Sequence, residues 1–378
     1  MSWWSGKSRF SRGWQVTPRV PPLLPAVYSS DATHNVCRFL TSLHGVPLAA
    51  QDLDKRDDQG TLTLWFHEIL GKDGKPSDKV FGVTNCHVLR KDTTVEYEHR
   101  GGAAIRHVRV CGNRRFDRGF NETTDEIANR AMAAEILARE MANFQAKEQT
   151  TEVVRAIEKK QWSLDRETQA ETTLWAFHAD ARLNWLQTNL HRNIGYTQFA
   201  PAITVNVEGG TRFTSDWGVF AATEGKVEDA FEGNVVYLMR FNFFVSYSPH
   251  TTSPHTATLK FFLGAKYTSQ QLNKMFYPIG GGQTTFKFPE GKFRIEGWST
   301  LDELAAPDDI YSEHQHFVVV GKDGNTTDLT VGRYAGLVSF TENDAGVTSI
   351  EIGIYTGEKL QANIKAKFSH ADFFRTAW

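Results

Sequence analysis

The sequence predicts a mainly β protein with a helical insertion, an α+β fold, and three features of the chain carry that prediction. Between residues 61 and 110, short runs of β-branched and aromatic residues alternate with glycine-containing turns. From residue 120 to residue 194 there is neither a glycine nor a proline, which is typical of helices. After Gly195 the β pattern returns, so helices interrupt a β protein.

The β-like runs fall into two groups on either side of the helical block. Those before it are residues 61–66, 80–84 and 105–110, and the turn residues between them favour antiparallel hairpins. Those after it are residues 203–207, 235–238, 317–320 and 349–355. We therefore expect one antiparallel β structure that the helical block divides.

The helical block itself predicts two helices. Thr123-Thr124-Asp125-Glu126 has the form of a capping box, which indicates a helix start. Apolar residues then recur at spacings of three and four, namely Ile127, Ala131, Ala134, Leu137, Met141 and Phe144. A break at residues 149–151 precedes a second stripe, which includes Val154, Ile157, Gln161, Trp175, His178, Trp185, Leu186 and Leu190. A helical hairpin is the expected result.

Composition excludes several classes of protein. The 42 basic and 44 acidic side chains leave a net charge of -2, which does not favour nucleic acid or an anionic membrane as a partner. No run reaches the roughly 18 apolar residues of a membrane span. Only 3 cysteines occur, Cys37, Cys86 and Cys111, which argues against a secreted domain held by disulfides. We expect a cytoplasmic protein without a signal peptide, and the basic leader leaves organellar targeting open.

Two residues have the properties of an imidazole base and the carboxylate that orients it. His87 follows the predicted strand 80–84, and Asp216 precedes a short apolar strand in Thr214-Ser215-Asp216-Trp217-Gly218. A histidine that acts as a general base needs a carboxylate to fix its tautomer and to stabilise the imidazolium. Either residue alone is more often structural, as a hydrogen-bonded histidine or a turn-forming aspartate. The pair becomes informative only with the rest of the chain.

Other strings accompany the pair between residues 81 and 369, including 81–87, 110–116, Asn193-Ile194-Gly195, 213–218 and the glycine-punctuated hairpin 321–336. With these motifs the chain resembles a trypsin-like (chymotrypsin-fold) serine peptidase of an intracellular fungal type, with a helical insertion between the histidine and the aspartate. The resemblance implies two antiparallel β-barrel halves, the first carrying the helical hairpin and the second incomplete. It also implies that His87 and Asp216 are the catalytic base and its orienter.

The same resemblance implies a Gly-Asp-Ser-Gly string a few residues after a Phe-Ser dipeptide, with the serine as nucleophile. This chain has Phe368-Ser369 and then Asp372, so alignment places Phe373 where the nucleophile is expected. As written, the chain is therefore expected to be inactive as a peptidase. Ser369 lacks a glycine elbow, and side-chain alternation along a strand would point Cys86 away from His87, so neither is a good substitute.

The predicted organisation has six segments. They are a disordered leader (1–30), a first β-barrel half (31–116), a helical hairpin insertion (117–194), the completion of the first barrel carrying the aspartate (195–238), an irregular insertion (239–262) and a truncated second β-barrel half (263–378). No cofactor or metal is expected, because Cys86, Cys111, His99 and His107 lack the paired spacing of zinc ligands.

Two functions stay open from the sequence. The first is a serine endopeptidase whose written sequence is truncated or mis-spliced. The second is a non-catalytic peptide- or protein-binding module, a pseudoprotease. The expected partner is a polypeptide substrate or peptide ligand, with a protein partner at the helical insertion as a further candidate. The insertion could equally be a solvated two-helix spur with no partner.

Overall fold

A computed structural model of the chain describes residues 22–25, 27, 31–51, 59–148, 150–186, 189–205, 212–223, 225–227, 233–237, 292–295, 299–306, 309–310, 316–324, 328–334, 336–342 and 348–354. The predictions for residues 239–262, for Ser369 and for Phe373 lie outside these residues, as does most of the leader. The described end of the leader is packed, since Leu23 is buried and its N–H donates to the carbonyl of Lys226.

The described elements follow one another along the chain in a mixed α+β order. They are α1 (His34–Cys37), β1 (Pro47–Ala50), β2 (Gly60–Thr61), β3 (Leu64–His67), β4 (Val80–Thr84), α2 (Cys86–Leu89), β5 (Tyr97–Glu98), β6 (His107–Val110), α3 (Asn113–Gln145), α4 (Thr151–Ala181), β7 (Asn193–Ala200), β8 (Thr204–Val205), β9 (Thr214–Ser215), β10 (Gly218–Ala222), β11 (Val235–Tyr237), β12 (Lys292–Arg294), α5 (Leu301–Ala305), β13 (Asp309–Ile310), β14 (His316–Gly324), β15 (Asp328–Tyr334), β16 (Val338–Glu342) and β17 (Thr348–Ile352). A π-helical turn (Arg182–Leu186) and a 3-10 turn (Asn189–Arg192) connect α4 to β7.

The main sheet is antiparallel and curled, in the order β2-β1-β6-β7-β10-β4-β3, with β5 paired to β7. Its first and last strands belong to one continuous stretch, residues 60–67. Within that stretch the N–H of Leu62 donates to Val46 and the N–H of Thr63 donates to Val83. Both edges of the sheet therefore meet on a single segment, which is why the sheet has the form of a half-barrel.

The core lies on one face of this curled sheet and extends to the base of the helices. Its largest buried members include Leu48, Leu62, Trp65, Phe116, Trp185, Ile194 and Phe220. The Phe220 ring lies over Gly82, where an added Cβ would come within 2.2 Å of it. Likewise an added Cβ on Gly195 would lie 2.1 Å from the carbonyl oxygen of Ala221. Larger residues at these two positions would separate neighbouring strands.

The helical region consists of two long helices that pack antiparallel. The 33 residues of α3 make it about 50 Å long, and ion pairs Arg130–Glu167 and Glu140–Lys160 join it to α4. The helix begins at Asn113, so the start predicted at Thr123 is wrong. The Thr123 hydroxyl instead donates to the carbonyl of Gly119 within the helix. The segment 123–126 resembles a capping box, but tertiary packing extends the helix on its N-terminal side to Asn113.

Three strands of the main sheet were absent from the sequence prediction, namely β1, β7 and the two-residue β5. β1 has the composition Pro-Leu-Ala-Ala and is buried throughout, so it shows neither alternation nor a high β propensity. β7 begins at Asn193, inside the segment assigned to the helical insertion. Its pairing with β6 and β10 places it in the middle of the sheet.

Beyond residue 233, the described strands form three small antiparallel sheets, namely β11-β12, β13-β14-β15 and β16-β17. β14 and β15 make the hairpin that the glycine-punctuated segment predicted, with seven residue pairs in register from Val318 and Tyr334 to Gly324 and Asp328. A complete second barrel stays a prediction. In the parts of the chain that are described, no helix has both the length and the apolar content to cross a bilayer.

Arg192 joins the two ends of the helical region. Its guanidinium donates to the carbonyl of Cys111 at 2.9 Å and to Asn113 Oδ1 at 2.5 Å, and it lies 4.6 Å from the centre of the Phe116 ring. The first two contacts are at the start of α3, whereas Arg192 itself follows α4. The side chain therefore fastens the base of the insertion to the sheet.

Replacement of Arg192 by Met should lower the free energy of unfolding by about 2 to 4 kcal/mol, because buried partners of a charged donor lose their hydrogen bonds. Denaturant unfolding measures this loss. Arg139→Met is the matched control, since within the described part of the chain Arg139 makes an exposed pair with Glu135 at 2.7 Å, and its loss should cost about 0.5 kcal/mol or less. Equal losses in the two variants would contradict this role of Arg192.

A buried polar group, that of Asn234, lies alongside the edge strand β3. Asn234 accepts from the N–H of Trp65 and donates to its carbonyl, both at 2.8 Å, and the Trp65 indole donates to Ser42. Beside it, His44 donates from Nδ1 to the carbonyl of Thr63. Burial lowers the pKa of His44 from 6.5 to about 4. The folded protein therefore holds this imidazole neutral at pH values where an unfolded chain would protonate it.

His44 should make the protein less stable as the pH falls from 6.5 to 4, because the unfolded state then binds a proton that the folded state does not. In His44→Gln, the slope of unfolding free energy against pH in this window should fall by up to about 1.4 kcal/mol per pH unit. Denaturant unfolding at several pH values gives the slope, which does not depend on the overall loss of stability. An unchanged slope would show that His44 titrates normally in the folded protein.

Candidate active site

The pairing of β4 with β10 brings together two segments that are distant in sequence. In this antiparallel pair, Gly218 lies opposite Thr84. The chain continues from Thr84 into Asn85 and the one-turn helix α2, and it reaches Gly218 from β9 through Asp216. His87 and Asp216 are therefore at the same end of the strand pair, as the geometry of an antiparallel ladder requires.

Asp216 makes two contacts with His87. Its Oδ2 accepts from the ring Nδ1 at 2.5 Å, and its Oδ1 accepts from the backbone N–H at 3.3 Å. A third bond runs from the side-chain amide of Asn85 to the backbone carbonyl of Asp216, at 3.1 Å. Both oxygens of the Asp216 carboxylate therefore bind His87. The bond from Asn85 also fixes the loop that carries the aspartate to the turn that carries the base.

The contact with Asp216 determines which nitrogen of His87 carries the proton. An ionised carboxylate only accepts hydrogen bonds, so Nδ1 is the protonated atom of the neutral ring and Nε2 has the lone pair. The aspartate side chain is 18% exposed, whereas that of the histidine is 40% exposed. The carboxylate is consequently shielded while the ring remains accessible, an arrangement suited to proton transfer with a bound molecule.

Cys86 stands next to the histidine but is not a nucleophile. The expectation that strand alternation separates Cys86 from His87 is wrong, because both belong to the helical turn α2 and not to a strand. Cys86 is fully buried, and burial, followed by the nearby charge of Asp216, raises the pKa of its thiol to about 11. The thiol therefore stays protonated and unreactive near neutral pH.

Two neighbours of the pair were absent from the sequence prediction. Asn85 stands at the N-cap of α2, where its type predicts a capping bond, but its amide reaches Asp216 instead. Trp217 is 41% exposed and packs against Phe199 with ring centres 5.7 Å apart. The sequence signals that could have indicated these two residues are their positions, Asn85 just before Cys86-His87 and Trp217 just after Asp216.

The described residues include no group of three or more His, Cys, Asp or Glu side chains arranged to hold a metal ion. The combination of Cys86, Cys111, His99 and His107 is accordingly not assembled. Ser369 and Phe373, which concern the nucleophile, are outside the described part of the chain. The described part of the site consists of the histidine, the aspartate and their neighbours.

If Asp216 holds the Nδ1 proton of His87, that proton should be protected from solvent exchange and give a downfield resonance in the proton NMR spectrum. In Asp216→Asn the resonance should disappear or shift strongly upfield, because the charged acceptor is lost. Asp92→Asn is the control, since the hydrogen bonds of Asp92 to other described residues stay within its own turn, at Thr94. A resonance that survives in Asp216→Asn would contradict the contact.

Comparison with known proteins assigns no family to the chain. No family model, no curated protein and no solved structure matches it.

Proposed function

We propose that this chain is a homologue of trypsin-like serine peptidases in which His87 is a general base and Asp216 is its orienter. The observation that carries the proposal is the double contact of the Asp216 carboxylate with the ring and the backbone N–H of His87. Such a contact fixes the ring orientation and its tautomer together. It also offers a negative charge to the imidazolium that forms when the base takes a proton.

The curled antiparallel sheet supports the proposal. His87 follows the end of β4 and Asp216 precedes β10, so one strand pair of one sheet presents both residues. A helical region separates them in sequence without separating them in space. These features agree with the first half of a trypsin-like protein, and the trypsin-like assignment itself is part of the proposal.

The expected chemistry depends on the nucleophile. In a serine peptidase, the base removes the proton of a serine hydroxyl as its oxygen attacks the carbonyl carbon. The sequence contains no Gly-Asp-Ser-Gly string, and its alignment places Phe373 at the nucleophile position. For the chain as given we propose that water takes the serine's place and only activated substrates react. His87 then removes a proton from the water as it attacks, and the leaving group departs with the bonding electrons.

A second candidate, a non-catalytic binding module, is favoured by exposed aromatic residues on α4. Trp162 is 61% exposed and Trp175 is 52% exposed, and large aromatic side chains are enriched at protein interfaces. In this function the helical region would contact a protein partner, and the sheet would hold an extended peptide. The two candidates differ in whether the protein accelerates any acyl hydrolysis.

Hydrolysis of p-nitrophenyl acetate distinguishes the two candidates. The protein should accelerate it, and His87→Gln should remove the acceleration because the base is lost. Asp216→Asn should lower the rate by about tenfold or more, because the ring then loses its orientation and its counter-charge. His67→Gln is the matched control, a histidine of β3 in the same sheet, and should leave the rate unchanged. A rate with the parent protein that equals the rate without protein would favour the binding module.

A fluorophosphonate probe tests the nucleophile separately, because it reacts with an activated serine. The 378-residue chain should not be labelled, since Phe373 stands at the expected position of the serine. Covalent labelling would contradict this part of the proposal, and peptide mass spectrometry would then identify the nucleophile.

A further inference from the structure

The strand that leads to Asp216 is too short to hold its loop alone. β9 has only two residues, Thr214 and Ser215, and it pairs with the equally short β8. A two-stranded pair of this length is not stable by itself in water. The carboxylate of Asp216 nevertheless has to stay within hydrogen-bond distance of a histidine that belongs to a different loop. In addition to the bond from Asn85 to Asp216, a further contact restrains the chain just before the aspartate.

That contact comes from the β16-β17 hairpin, which is far away in sequence. The Thr214 hydroxyl donates to Oε1 of Glu351 on β17 at 2.7 Å. The same oxygen accepts from the hydroxyl of Ser349 at 3.0 Å, and Ser349 is buried. A carboxylate oxygen with two hydroxyl donors makes stronger bonds than a neutral acceptor would. The bond from Ser349 fixes the Glu351 carboxylate, and the bond from Thr214 ties β9 to that carboxylate.

A main-chain bond reinforces the same junction. The N–H of Ile350 donates to the carbonyl of Arg212 at 2.9 Å, two residues before Thr214. Arg212 has a φ of 52°, in the left-handed region that is unfavourable for a residue with a side chain. Such a conformation persists where surrounding contacts determine it. The hairpin therefore restrains both the backbone and the side chains of the segment that delivers Asp216.

We propose that Glu351 is a positioning residue for the His87–Asp216 pair, which it holds in register through Thr214. This proposal rests on the proposed function, because it concerns the orienter of the same base. The path has three steps, from the Glu351 carboxylate to the Thr214 hydroxyl, along β9, and then to the Asp216 carboxylate. The same contacts also connect the β16-β17 hairpin to the segment that leads into β10 of the main sheet.

The test compares variants that remove the bond with variants that keep it. Thr214→Val has nearly the same shape but no hydroxyl, and Glu351→Ala removes the acceptor. Thr214→Ser and Glu351→Gln each retain a group that can make the bond. Thr341→Val is the control for the hairpin, because it removes only the bond between Thr341 and Ser349 at 2.7 Å.

The readouts are the downfield Nδ1 proton resonance of His87 and the rate of p-nitrophenyl acetate hydrolysis. In Thr214→Val and in Glu351→Ala the resonance should broaden or exchange faster, and the rate should fall about three- to tenfold. The retaining variants and Thr341→Val should resemble the parent protein. The double variant Thr214→Val/Glu351→Ala should be no worse than Glu351→Ala alone, because Glu351→Ala already removes the bond to Thr214 together with the bond from Ser349.

The outcomes separate this proposal from the proposed function. An unchanged resonance in folded Thr214→Val and Glu351→Ala would overturn the positioning role, whatever the rates are. If the resonance changes as expected but the parent protein does not hydrolyse the ester, the positioning role stands and the base function fails. If Glu351→Ala does not fold, the comparison of Thr214→Val with Thr214→Ser decides. Additive losses in the double variant would also overturn the proposal.

Discussion

The antiparallel pairing of β4 with β10 is the constraint on which the rest of the site depends. His87 and Asp216 are 129 positions apart, and the register that sets Gly218 opposite Thr84 brings them to the same end of the strand pair. That register is strongly determined, because the Phe220 ring lies on Gly82, where no Cβ would fit. A shift by one residue would turn the side chains of β10 to the other face and place the ring against a larger neighbour. Packing in the core therefore sets the geometry of the polar pair at its edge.

The helical region does not disturb this geometry, because it leaves and re-enters the sheet at neighbouring strands. β6 precedes it and β7 follows it, and the two strands pair with each other. Arg192 then fastens the end of the insertion to the start of α3. An insertion whose two ends lie side by side can be long without changing the distance between the strands that carry the site. The 129 positions between His87 and Asp216 in the sequence therefore do not prevent the two side chains from forming a hydrogen bond.

Local patterns allowed part of this architecture to be predicted. β4 was predicted with its observed bounds, because four of its five residues are β-branched or aromatic and turn residues flank it. The buried strand β1 was missed, since its position in the sheet and not its composition makes it a strand. At the site, the sequence singled out His87 and Asp216. It could not indicate Glu351, because the bond to Thr214 joins residues 137 positions apart and neither belongs to a recognisable motif.

In the proposed function, the imidazole of His87, held by Asp216, removes a proton from water as the water attacks the acyl carbon. A general base and a direct nucleophile differ in whether a proton moves in the rate-limiting step. Hydrolysis of p-nitrophenyl acetate by the parent protein in H2O and in D2O distinguishes them most directly. We expect the His87-dependent rate to be clearly slower in D2O, because the proton removed from water is replaced by a deuteron. Equal rates in the two solvents would contradict the assignment of His87 as a general base.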